Sequence, residues 1–336
     1  MIEIFYKNPE SKFESTNNLE MLKTLQRENV LWLDLCDPEG EEKRAVEGYL
    51  NTTLQSRAQA EEIESSSRYS EDDTSIFINT NFLIPGPENY SMESVSFILC
   101  GKTIVSVRQA ALRSFTDIQR RITAGIRYYP TGFHVLMGIL DNRIDLDADM
   151  IELMSKELEQ YSRRVSMGED VNEDFLIDIN QLQENTMMVR ENIVDKQRMI
   201  SSVLKSEKTP DEINDKLSGL LKDISSLINH TDFNFERLEY LQNTVLGLIN
   251  VEQNKIMKIF TLVSLLLMPP TLVASIYGMN VQLPLIGGIW DFLMIMMLML
   301  LLVGMLMVCK STGVDCQLIL MRKKNLQMQG SRNIHD

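Results

Sequence analysis

From Ile259 to Trp290 the chain runs 32 residues without Asp, Glu, Lys, Arg or His. A charge-free run of that length needs an apolar surrounding, and it divides in two. Gly278–Gly288 reads as a loop, marked by Pro284 and the glycine pair at its end. Ile259–Tyr277 supplies 19 apolar residues before it, and Trp290–Val308 supplies a second stretch broken only by Asp291. About 20 residues cross roughly 30 Å of hydrocarbon. The pattern therefore predicts a membrane hairpin rather than a buried soluble one. Lys255 and Lys258 precede the hairpin, Lys310, Arg322, Lys323 and Lys324 follow it, and the connecting loop has no Lys or Arg. The positive-inside rule then puts both termini in the cytoplasm and the loop outside, in a multi-pass protein of the inner (plasma) membrane.

The rest of the 336 residues is polar, so the mean hydropathy of −0.10 averages two unlike parts. Thirty-three Lys and Arg stand against 47 Asp and Glu, a net charge of −14. That balance excludes a general nucleic-acid partner, which needs an excess of cations. Cys36, Cys100, Cys309 and Cys316 form no CxxC pair and read as free thiols. The N-terminus, Met1-Ile2-Glu3-Ile4, has no signal-peptide pattern. Three histidines form no HExxH, and neither a GxxxxGK[ST] nor a GxGxxG segment occurs, so the expectation is a non-enzyme without an organic cofactor.

Val30–Leu35, Ser75–Ile84, Ser94–Leu99 and Thr103–Val107 are short β-rich runs and predict strands. Glu39–Leu50 and Leu112–Ile126 predict helices. The fold class is thus an α/β cytoplasmic domain over residues 1–133. A helical pair follows over 134–208, turning at Met167-Gly168-Glu169-Asp170. Thr209-Pro210-Asp211-Glu212 predicts a helix start, with Thr209 as cap and Glu212 completing a capping box. From there one long helical stalk continues through the first span, over 209–277, with Pro269-Pro270 at membrane depth. Residues 278–288 form the external loop, 289–309 the second transmembrane helix and 310–336 a basic tail. A helix of that length, about 100 Å, needs partners: copies of itself or other helices.

On the part entering the membrane, Asn254, Met257, Thr261, Ser264, Met268, Thr271 and Ser275 are spaced alternately by three and four residues. That spacing places them on one helical face. Most other faces carry Ile, Leu, Val, Phe and Ala. Small hydroxyl residues on a transmembrane stripe serve either as helix–helix glue or as the wall of a pore around an axis. Because no charge lies on the stripe, an ion in such a pore would keep most of its own water.

The segment from Asn254 through Pro269-Pro270 to Tyr277-Gly278-Met279-Asn280 resembles the CorA family of divalent-cation channels, whose hallmark is Gly-Met-Asn directly after the first of two C-terminal spans. Trp32-Leu-Asp-Leu-Cys-Asp-Pro38 and the acidic passage Ala60–Asp73 resemble the family's cytoplasmic domain. The resemblance implies a funnel-shaped homopentamer in the lipid bilayer that conducts Mg2+ and also admits Co2+ or Ni2+. Gly278, Met279 and Asn280 would be the selectivity motif, with a ring of Asn280 amides holding the hydrated ion. The plain reading of Gly278 is a left-handed helix cap, compatible with that role. The family is also gated by intracellular Mg2+ held between subunits. Asp223 lies within a turn of the matching stalk position, which is Gly219 here, and Glu88 or Glu93 would be its partner.

The loop departs from the family pattern. It runs Val281-Gln-Leu-Pro-Leu without the usual carboxylate, which leaves a zinc transporter of the ZntB branch as an alternative. The double proline and the Pro-Thr-Leu-Val-Ala-Ser run favour the Mg2+ branch. A membrane-anchored coiled-coil adaptor without a pore is the alternative of another class. Its stripe would stay apolar into the membrane.

Overall fold

The structure is a computed structural model that describes residues 1–10, 12–55, 68–86, 89–168, 172–278, 290, 293–301 and 303–304. Its contacts divide the chain into two units, Met1–Leu246 and Gly247–Asp336.

The first unit is built on a seven-stranded sheet. β1 (Ile2–Lys7), β2 (Phe13–Thr16) and β3 (Val30–Cys36) precede helix α1 (Gly40–Leu50). β4 (Tyr69–Glu71), β5 (Ser75–Ile84), β6 (Ser91–Cys100) and β7 (Thr103–Arg108) follow. The order across the sheet is β2-β1-β3-β7-β6-β5-β4. Only β3 and β7 run parallel; the other pairings are antiparallel. The four predicted strands are all present. β1, β2 and β4 are additions. β1 is inserted between β2 and β3, with Ile4 opposite Leu33.

The central strands are covered on both faces. On one face, Ile4, Leu33, Leu35, Ile98 and Val105 pack with Val46 and Leu50 of α1. Phe5, Trp32, Phe82 and Phe97 are also buried, and helix α2 (Arg113–Thr123) brings Phe115 against three of them. Aromatic pairs at these separations contribute about 0.5–1.5 kcal/mol beyond the area they bury. A polar chain is buried with them. Trp32 Nε1 donates to Ser106 Oγ at 2.8 Å, and Ser106 donates to Asp34 Oδ1 at 2.6 Å. Arg108 closes the chain on Asp34 at 2.7 Å, and Gln119 of α2 adds a bond at 2.9 Å. Each member has a partner, which is the condition for burying charge without a large penalty.

Helices α3 (Gly132–Met167) and α4 (Glu173–Lys205) follow, and α3 ends at Gly168 with φ of 68°. This is the left-handed turn glycine that the sequence placed there. The two helices meet the sheet through a second buried charge cluster. Asp147 pairs with Arg143 and, at 3.1 Å, with Lys196, which is fully enclosed. Arg143 donates to Leu83 O at 2.8 Å, and Asn192 donates to Asn81 O at 2.7 Å. Burial pushes the Lys196 ammonium down to about 8, while Asp147 beside it works in the opposite direction.

Helix α5 (Asp211–Tyr277) is the 67-residue element that begins in the first unit and ends in the second. Its start differs from the predicted capping box. The Thr209 hydroxyl donates to Val203 O at 2.8 Å, tying the α4 end to the turn. The Glu212 carboxylate turns to His134 at 3.5 Å and Lys216 at 3.3 Å. A capping box does form on α1, where the side chains of Glu39 and Glu42 bond reciprocally to backbone N–H groups.

Candidate functional site: the hydroxyl stripe and the carboxylates of the first unit

In the second unit α5 is bare. Its apolar stretch has a mean hydropathy of 2.0 and no buried residues. Phe260 and Met268 are 68% and 69% exposed, far beyond what an apolar helix in water tolerates. Hydrocarbon, other helices or both must cover it. Residues 293–301 of the second apolar stretch are helical as well.

All seven stripe residues, Asn254 to Ser275, lie on this continuous helix. The hydroxyls of Thr261 and Thr271 each donate to the carbonyl four residues earlier, Met257 O and Leu267 O, at 2.7 Å. A hydroxyl whose proton is committed to its own backbone turns lone pairs outward. Such oxygens accept hydrogen bonds from the water shell of a cation. Pro269 and Pro270 are accommodated inside the helix. Lacking N–H groups, they leave the carbonyls of Leu265 and Leu266 without their helical donors, at the level of Ser264 and Met268.

The helix does not end as the sequence suggested. The Gly278 N–H bonds to Ala274 O at 2.9 Å, and Gly278 is not left-handed: its N–H simply continues the helical ladder. A side chain there would still be crowded, since a Cβ would approach Ala274 O to 3.2 Å. Met279 and Asn280 lie outside the described residues.

The candidate regulatory carboxylates fall into separate places. Glu93 Oε1 accepts the backbone N–H groups of Gln109 and Ala110 at 2.7 and 3.0 Å, so it anchors the turn after β7. Glu88 lies outside the described residues. Asp223 of α5 is instead within the electrostatic reach of Asp145 on α3. The Asp145 carboxyl is raised above its ordinary value, first by burial and then by Asp141, Asp149 and Asp223. Asp141, Asp145 and Asp149 are spaced by four and share one helical face. That spacing was available in the sequence, yet it says nothing of which stalk residue faces it. Among the described residues no three Asp, Glu, His or Cys groups are close enough to cage a bare ion.

Three comparisons bear on this geometry. The family model for CorA-like Mg2+ transporter proteins matches residues 27–309. The magnesium transport protein CorA of Wolinella succinogenes is 36% identical over 257 residues, covering 75% of this chain and 80% of that one. Among solved structures, the complete CorA magnesium transporter of Methanocaldococcus jannaschii superposes with a TM-score of 0.74 at 19% identity, covering 92% of this chain and 97% of that one. The cytoplasmic domain of ZntB from Vibrio parahaemolyticus gives 0.54 at 17% identity, covering 74% and 98%. At these identities the two structures speak for the fold alone.

The raised Asp145 carboxyl has a consequence for stability. Between its ordinary value of 3.8 and its raised one, the folded state holds more protons than the unfolded state, so stability falls as pH rises through that window. Asp145→Asn removes the penalty. In Mg2+-free buffer the variant should melt higher than wild type at pH 7, and the gain should vanish below the ordinary carboxylate range. A pH-independent gain would point to packing instead of charge.

Proposed function

Because the chain belongs to the CorA-like family of Mg2+ transporters, we propose that it carries Mg2+ across the inner membrane through a pore walled by the α5 stripes of several copies, and that it is a transporter rather than an enzyme. The observation that carries this reading is the stripe itself, with its hydroxyls bonded back to the helix and their lone pairs outward. Mg2+ gives up its water reluctantly. A wall of neutral oxygens and thioethers binds a hydrated ion weakly enough to release it, as conduction requires. Five copies around one axis would put five Asn280 amides at the outer mouth, where their oxygens accept hydrogen bonds from the ion's water. Co2+ and Ni2+, of similar hydrated size, would share the path. The loop without a carboxylate, together with the fold likeness to a ZntB domain, keeps Zn2+ transport as the second reading.

Uptake into vesicles containing the purified chain separates these readings. Mg2+ should enter, with Co2+ and Ni2+ following and with no dependence on a proton gradient. Asn280→Ala should bring Mg2+ uptake to background without changing the oligomer. Zn2+ uptake driven by protons would establish the second reading, and wild-type uptake in Asn280→Ala would remove the amide ring.

A pore wall and helix glue make different demands on the same helix. Phe at Met268 or Thr271, on the stripe, should slow uptake more than Phe at Leu267 or Leu272, off it. Equal slowing at all four positions would assign the stripe to packing.

Gating by internal Mg2+ follows from the acidic faces. We place the sensor at Asp223 and the Asp145 face rather than at Glu93, whose carboxylate is committed to the backbone. For Mg2+ to close the pore, the closed state must bind it better than the open one. Millimolar Mg2+ should then slow proteolysis of the first unit, and Asp223→Ala should reduce that protection and raise uptake at high internal Mg2+. No effect of Mg2+ on proteolysis or flux in the wild type would rule this sensor out.

A further inference from the structure

A cleft in the first unit has chemistry opposite to that of the rest of the protein. It lies between β4, the C-terminal half of α4 and the facing part of α5, and encloses about 550 Å³. Among the described residues, Arg68, Arg198 and Lys205 line it together with Asp195, three cations to one carboxylate in a chain of net charge −14. Arg198 and Lys205 stand seven residues apart on α4, two turns along one face, with Ser201 and Ser202 between them. Arg68 approaches from across the cleft.

These cations are not consumed by the fold. Arg68 is only 14% exposed, yet its Nε lacks a hydrogen-bond partner, and its contact with Asp195 Oδ1 is a long 3.6 Å. Among the described residues its side-chain hydrogen bond goes to Asn81 Oδ1, at 3.5 Å. Among the described residues Arg198 and Lys205 have no ion-pair partner. An arginine held nearly buried with donors unused is costly unless something accepts from them. The cleft opens at Arg68, Asp195 and Arg198 into a second one of about 860 Å³, which Met92, Met187 and Phe235 line together with the carboxylates of Glu191 and Glu236. The Arg190–Asp232 ion pair borders that second space. The second space is thus mixed, apolar side chains beside carboxylates, while the first keeps the excess of cations.

We propose that this cleft binds a phosphate-bearing anion, with the phosphate against Arg68, Arg198 and Lys205 and any organic part extending toward Met187 and Phe235. Guanidinium groups match the paired oxygens of phosphate with parallel N–H donors, and the lysine adds a point charge. Asp195 keeps Arg68 in place and lowers the net attraction, so the site favours a ligand that can accept several hydrogen bonds over a simple halide. Bound there, a phosphate would join β4, α4 and α5. The site is distinct from the stripe and from the Asp145 face, and the proposal does not depend on transport.

Calorimetric titration of the purified full chain in detergent, in Mg2+-free buffer, tests it with inorganic phosphate, pyrophosphate and AMP as probes. At least one probe should bind saturably. Arg198→Ala and Lys205→Ala should each weaken that binding by about tenfold, the loss of one charge-assisted contact. Lys156→Ala, which removes an exposed lysine of α3 paired only with Glu152, should leave binding unchanged. AMP binding more tightly than phosphate assigns an organic phosphate, and equal affinity assigns the inorganic ion. Thermal melting identifies any variant that fails to fold, and Arg68→Lys then serves as the milder change, keeping the charge but losing the fork. Absence of saturable binding with all three probes, or binding equally tight in both alanine variants, overturns the proposal.

Discussion

One backbone, that of α5, has to satisfy two solvents. In its first part the helix meets water and the rest of its unit, so it carries an alternation of apolar and charged residues, with Leu217, Leu220, Ile224 and Leu238 buried. From Ile259 to Tyr277 it has no charge at all. In hydrocarbon every backbone polar group has to find its partner inside the protein. The helix meets that demand nearly throughout, and the two proline positions are where it does not. Thr271, immediately after them, returns its hydroxyl to Leu267 O. Leu267 O is not one of the two carbonyls that the prolines free, so this bond supplements the ladder beside them, and the hydroxyl stripe remains a candidate wall for a water-filled path.

What the sequence could reveal follows from how local each cause is. The long strands were legible because their β-branched runs are bounded by turn residues, and the α3–α4 turn because Gly168 needs a left-handed conformation that few other residues accept. β1 was missed because it is six residues at the chain start and gains its place by pairing with β3, far along the chain. β4 has three residues and exists only beside β5. The capping box at Thr209 had the right letters, but tertiary contacts took its members: Val203 O holds the hydroxyl, and His134 and Lys216 hold the carboxylate. At Gly278 the local preference for a left-handed cap was likewise overridden, this time by continuation of the helical ladder.

The candidate site divides along the same line. The stripe is a periodicity within one helix, so the residues alone define it. The carboxylates depend on packing between helices: Glu93 accepts from two backbone N–H groups, whereas Asp145, not singled out beforehand, is the group whose ionisation opposes its neighbours. A carboxylate with two strong donors contributes to the fold. One that burial and like charges oppose, as they oppose Asp145 with only partial relief from Arg121, costs stability when it ionises with no further cation beside it.

Buried charge is managed in the first unit by two different arrangements. Asp34 is held by Arg108, Ser106 and Gln119, and Asp147 by Arg143 and Lys196, so each buried carboxylate is enclosed by donors. Asp145 stands only two residues from Asp147 on the same helix, but on the face that carries Asp141 and Asp149, with Arg121 within electrostatic reach. Helical geometry separates them: residues two apart point about 200° apart around the axis. One face of α3 thereby fixes the helix to α4 and the sheet permanently, while the opposite face carries a charge whose cost depends on the surrounding ions. Were a cation held at the Asp145 face, as the proposed sensor requires, it would act on an element that the Asp147 cluster ties to the sheet. The local loss of repulsion would then be transmitted as a change in the stability of the whole unit rather than dissipated in a loop.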